Sequence, residues 1–225
     1  MPTRPQFTRE APGAFVIGIS GASGARYAKR LIGALVHAGH DAHVTITAPG
    51  RRLLHDELGL ERPDLRALAD LPSGADPSAP ATGSGLGTAV LHNVNDIGAA
   101  IASGSFLHDG MAVVPCSSRT LAAIATGLGD NLLTRAAAVT LKERRPLVLL
   151  HRETPLSMID IDNMRRATEA GAIVAPASPG FYHLPQTVDD LVDFMAAKVL
   201  DLLRVQHEIG ERWGEKRRQA PAQRC

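Results

Sequence analysis

Aromatic side chains are scarce in this chain. They make up 4% of its 225 residues, with one tryptophan, two tyrosines and five phenylalanines, so the core has to be aliphatic. Cysteine is nearly absent. Cys116 and Cys225 stand too far apart to form a disulfide framework, and a reducing compartment fits that usage. There is no excess of charge of one sign: 24 basic residues face 23 acidic ones, for a formal net charge of +1. That balance supplies neither the basic field that attracts nucleic acid nor a polybasic membrane patch. No apolar run approaches the ~20 residues needed to span a bilayer. Residues 1–13 are polar, hold Pro2, Pro5 and Pro12, and lack the apolar centre of a secretory signal. They read as a short flexible leader on a cytoplasmic protein. What remains is 44% hydrophobic and 21% charged, the composition of one ordinary globular domain.

The pattern alternates short aliphatic runs with helical ones. Strands are expected at 14–19, 41–47, 89–93, 111–115, 147–150 and 172–175. Helices are expected at 25–38, 51–58, 119–126, 131–144, 160–170 and 187–203. Asp130 or Asn131 is placed to cap the helix that follows, and Thr187 to Asp190 fits a capping box. Residues 61–87 are rich in Pro, Ala, Ser, Gly and Asp without a period, and read as an irregular insertion around 60–88. Residues 206–225 read as a charged C-terminal tail. Strands alternating with helices imply an α/β fold, a parallel sheet with helices on both faces, whose ligands bind at the carboxyl ends of the strands.

Those ends carry the informative residues. Gly18 to Gly24 (GISGASG) runs from a strand into a helix and presents free backbone N–H groups to an anion, although a plain tight turn fits it too. It is not a Walker loop, since no Gly-Lys-Ser/Thr follows. Ser117, Ser118, Arg119 and Thr120 open a second helix after a buried strand. Each serine fits a simple cap as well as a ligand. Cys116 precedes them with no adjacent base, so it packs or lines the site and is no nucleophile. Arg135 and Lys142, seven apart, share a helix face. Arg152 and Glu153 directly follow a strand, and Tyr182 and His183 sit in a Pro/Gly-framed loop after the last one. His92, His151 and His183 are spaced for no compact metal motif.

Taken in order, Ser103-Gly-Ser-Phe, Pro115-Cys-Ser, Leu121-Ala-Ala-Ile-Ala-Thr-Gly, Asp130-Asn-Leu-Leu, Leu141-Lys-Glu-Arg-Arg, Arg152-Glu-Thr-Pro-Leu, Phe181-Tyr-His and Asp189-Asp-Leu-Val-Asp-Phe resemble the UbiX family of flavin prenyltransferases. The likeness runs from Ala14 to about Leu203 and leaves residues 61–87 uncovered. It implies a flavodoxin-like Rossmann fold, one flavoprotein domain over 14–205, and a homododecamer with active sites between subunits. The implied reaction needs no metal. Reduced FMN takes a dimethylallyl group from dimethylallyl phosphate or diphosphate at N5 and then C6, and the product serves a UbiD-type decarboxylase.

By position, the resemblance assigns Gly21, Ala22, Ser23, Thr47, Ser103, Gly104, Ser117, Ser118, Arg119, Thr120 and Arg135 to FMN, with Ser23 near N5. It assigns Lys142, Glu153, Tyr182 and Lys198 to the prenyl phosphate and Glu57 to the forming bond, so that Ser23, Glu57, Lys142 and Glu153 carry the chemistry. The chain departs from the family in three places. Lys198 stands for an arginine, which loses the bidentate fork. Ile97 replaces an aromatic that some members place beside the prenyl group, and Ala138 replaces a commonly acidic residue. Two other readings compete. One is a cysteine-decarboxylase-like flavoprotein, whose Pro-x-Met-Asn signature is missing at Pro176 to Gly180. The other is a flavin carrier without catalysis, for which Lys142, Glu153 and Tyr182 would be superfluous.

Overall fold

The computed structural model describes residues 12–72 and 85–210. Most of the leader, the centre of the insertion and the end of the tail lie outside them. Six strands form one sheet: β1 (Ala14–Ile19), β2 (Asp41–Ile46), β3 (Ala89–His92), β4 (Gly110–Cys116), β5 (Leu147–His151) and β6 (Ile173–Pro176). Their spatial order is β3-β2-β1-β4-β5-β6, and every pairing is parallel. This is the doubly wound α/β arrangement expected. The strand order reverses between β1 and β4, which opens a crevice at their carboxyl ends.

Period-two alternation sorts the strand side chains between two cores. Phe15, Ile17 and Ile19 of β1, with Val44 and Ile46 of β2, join the core beneath α1 (Ala25–His37), α2 (Ala48–Leu58) and α7 (Val188–Leu202). Val16, Met111, Val113, Leu147 and Leu149 face the opposite core beneath α4 (Ser118–Thr126), α5 (Leu132–Lys142) and α6 (Met158–Glu169). On β1, Gly18 lets α5 approach: a Cβ there would come within 2.9 Å of Leu133. α1 buries Ala25, Ala28, Leu31, Ile32, Leu35 and Val36, a stripe at helical spacing. Asn131, Ser157 and Thr187 each close a capping box at the start of α5, α6 and α7.

Two details go beyond the sequence pattern. The irregular stretch contains a one-turn helix, α3 (Leu65–Leu68), capped by Asp64; Leu65 and Leu68 are fully buried against the first core. The described part of the tail is tied down by Ile209, which packs on the same core. Among the described residues no helix is long and apolar enough to cross a membrane.

Candidate active site

The crevice at the β1/β4 switch point is a small cavity of ≈ 300 Å³, lined among others by Gly21, Thr47, Ser117, Arg119, Thr120 and Asn131. Its walls are three helix starts. Thr47 caps α2, accepting from Gly50 N–H at 3.1 Å. Ser117 caps α4, accepting from Thr120 N–H at 3.4 Å. Asn131 caps α5. Gly21 is a positional requirement, because a Cβ there would overlap the Pro49 ring at the start of α2. Small side chains, hydroxyls and converging helix starts suit the phosphate and ribityl chain of FMN.

One residue that the sequence reading passed over ties this crevice together. The Ser20 hydroxyl is 1% exposed, donates to Pro115 O at 2.8 Å and accepts from Ser117 N–H at 2.8 Å. It clamps the end of β1 to the loop that opens α4. Its only sequence signal was a serine closing an apolar strand.

Around the start of α1 stand Ser23, Glu57, Tyr27 and Arg152. Ser23 is exposed. The Glu57 carboxylate accepts from Ala25 N–H at 2.8 Å and from Gly24 N–H at 3.1 Å, which ties it to the amino-terminal end of α1. Burial, and then the nearby Glu57 charge, raise the Tyr27 phenol above its ordinary value, while Arg152 pulls it down. Both charges therefore lie near the ring. Arg152 continues β5 and donates its N–H to Cys116 O at 3.2 Å. Its side-chain Nε is buried and, among the described residues, has no hydrogen-bond partner. An orphaned guanidinium nitrogen beside a helix start is a signal for an anion, and the sequence reading gave it no assigned role. Next to it, Glu153 accepts from Thr154 N–H at 3.0 Å and from the Ser118 hydroxyl at 3.4 Å, which sets it at the start of α4. Burial pushes the Cys116 thiol up, in keeping with a packing role.

The remaining assigned residues lie elsewhere in the chain. Arg135 is exposed on the first turn of α5, one residue after pocket-lining Thr134. Lys142 ends that helix, about 10 Å further along its axis, at the amino-terminal edge of the sheet. There it pairs with Glu143, and both crowd Gly104, while Arg145 donates to Gly104 O at 3.0 Å and Phe106 O at 2.7 Å. Ser103, Gly104 and Lys142 thus form one cluster, away from Gly21. Tyr182 and Lys198 form a third group in a cleft of ≈ 720 Å³ between β6 and α7. Ile97 is 60% exposed. A single chain therefore does not bring Lys142 to the Gly21 pocket. Sequence spacing puts residues on a helix face, but it does not say which end of the helix meets which site.

A family model described as Flavoprotein matches residues 7–200. A relative named flavin prenyltransferase UbiX, from Halalkalibacterium halodurans, is 42% identical over 205 residues, covering 91% of this chain and 95% of its own. The crystal structure of AnUbiX in complex with FMN and dimethylallyl pyrophosphate superposes with a TM-score of 0.74 at 36% identity, over 90% of this chain and 100% of that one. A dodecameric FMN-dependent UbiX-like protein from Escherichia coli O157:H7 gives 0.75 at 36% identity, over 89% and 98%. With likeness of this extent in sequence and in fold, the chain belongs to the UbiX flavin prenyltransferases of the flavoprotein family.

Proposed function

We propose that this protein joins a dimethylallyl group from dimethylallyl phosphate or diphosphate to N5 and C6 of reduced FMN, in the cytoplasm, and supplies the product to a UbiD-type decarboxylase. The observation that carries the reading is the pairing of the crevice with the buried Arg152 Nε, which has no hydrogen-bond partner among the described residues, and with Glu153, which meets Ser118 between the lining residues Ser117 and Arg119. When bound, the flavin supplies the nucleophilic nitrogen and carbon. Gly21, Ala22, Ser23, Thr47, Ser117, Ser118, Arg119, Thr120 and Arg135 hold it from one chain, and Ser103 and Gly104 from a neighbour.

The leaving phosphate is the electrostatic problem. Without a metal, its charge has to be met by side chains. Lys142, Lys198, Arg152 and the Tyr182 hydroxyl serve as donors, and each aimed donor contributes about 3 kcal/mol to barrier reduction. Glu153 holds the proton that the phosphate takes or gives up. Glu57, anchored on the Gly24 and Ala25 N–H groups, serves as the acid/base for closing the second bond. Because Ser103, Gly104 and Lys142 cluster at the far edge of the sheet, the reading calls for them to reach the crevice of an adjacent subunit. The dodecameric assembly of the Escherichia coli relative supports such an arrangement.

Incubating the protein with reduced FMN and dimethylallyl phosphate tests the reading. Mass spectrometry of the extracted flavin should show one added prenyl unit. Bound flavin that stays unmodified with either prenyl donor sinks the proposal and favours a carrier, and oxidised cysteine products would favour the decarboxylase-like alternative.

A further inference from the structure

The cleft between β6 and α7 contains a group with no role so far. His183 joins Tyr182 and Phe194 in a three-ring cluster. Its ring stacks on Phe194 with centroids 5.2 Å apart and planes 8° from parallel, and Tyr182 meets both rings edge-on. The stack fixes the imidazole's plane. Both ring nitrogens are buried, and among the described residues neither has a hydrogen-bond partner. An imidazole always carries at least one N–H, and leaving it unmet in a buried setting is costly, so native proteins rarely do it without a ligand to meet it.

Other donors stand beside the ring. Tyr182, His183 and Lys198 line the same cleft. The two carboxylates that share it are engaged. Asp190 caps α7, accepting from Gln186 N–H at 2.7 Å and Thr187 N–H at 2.9 Å. Asp201 meets His207 at 3.3 Å.

We propose that His183 is a further binding residue for the prenyl donor, giving a ring N–H to a phosphate oxygen beside Tyr182 and Lys198. The inference rests on the prenyl-transfer reading above and adds to it a donor fixed by an aromatic stack.

Two variants separate binding from packing. His183→Phe keeps a flat ring on Phe194 but has no N–H, whereas His183→Gln keeps a donor. The readouts are calorimetric binding of inorganic phosphate, the KM for dimethylallyl phosphate, kcat and the FMN dissociation constant. His183→Phe should weaken phosphate binding and raise the donor KM together, by about ten- to a hundredfold, the span of a hydrogen bond to a charged group. FMN affinity should stay as in the wild type, and His183→Gln should recover most of the loss. Unchanged phosphate binding in His183→Phe overturns the proposal. So does a parallel loss of phosphate binding, FMN affinity and thermal stability in both variants, which would mark His183 as structural. If the wild-type protein prenylates no flavin, it is the prenyl-transfer reading that fails, and phosphate calorimetry still decides the role of His183.

Discussion

Replacing Ser20 with alanine should loosen the crevice without touching a ligand. In the native chain Pro115 O accepts from both the Ser20 hydroxyl and the Ser20 N–H, the latter at 3.2 Å, so it keeps a partner after the change. The Ser117 N–H does not; its acceptor is the Ser20 hydroxyl. Two hydrogen bonds are lost: the one to Pro115 O costs a net of about 1 kcal/mol, and the one from Ser117 strands a part-buried donor, at about 1–2 kcal/mol. The sum is about 2–3 kcal/mol, which corresponds to a fall in Tm of roughly 5–10 °C for a chain of this size. Urea unfolding of both proteins at one protein concentration measures the difference, since an oligomer's stability depends on concentration. FMN affinity should fall as well, because Ser117 then leaves its place in the crevice. A change under about 0.5 kcal/mol with unaltered FMN binding would refute the clamp.

Two further outcomes follow from the same geometry. Gly21→Ala forces a methyl group into the Pro49 ring, so FMN should bind at least about tenfold more weakly by fluorescence quenching while the far-ultraviolet spectrum stays native. Burial holds His108 down to about 4 against its hydrogen bond to Gly110 O, and the unfolded chain takes up that proton near 6.5. Between those values the unfolded state binds more protons, so stability is present above pH 6.5 and is lost as pH falls toward 4. Unfolding free energies measured across that window should slope downward, and His108→Phe should flatten the slope.

Most of the architecture was legible in the sequence because each strand and helix obeys its own period and punctuation. β4 ends where Cys116 meets the Ser117 cap, and α1 ends two residues before Gly39, whose φ is 82°. α3 was not legible, because one buried turn leaves only Leu65 and Leu68 as its hydrophobic signature within a Pro- and Ala-rich stretch. At the site, the glycine turn and the Ser117 cap were visible as strand-to-helix junctions. Ser20 and the bare Arg152 Nε were not, since a hydroxyl's or a guanidinium's partners depend on which loops the sheet sets side by side. The separation of Lys142 from Gly21 was likewise hidden: seven-residue spacing aligns Arg135 and Lys142 on one face of α5, yet that helix spans the sheet from one edge to the other.

The account centres on one active site assembled from two chains, the crevice and Glu153 from one and Lys142 from the next. Co-expressing Lys142→Ala and Glu153→Gln subunits with different tags, and purifying assemblies that carry both, tests it directly. Each variant alone should form no prenylated flavin. Hybrids should recover activity, because some sites then join an intact Glu153 from one subunit with an intact Lys142 from the other. Hybrids as inactive as their parents, beside an active wild-type control, would contradict the account.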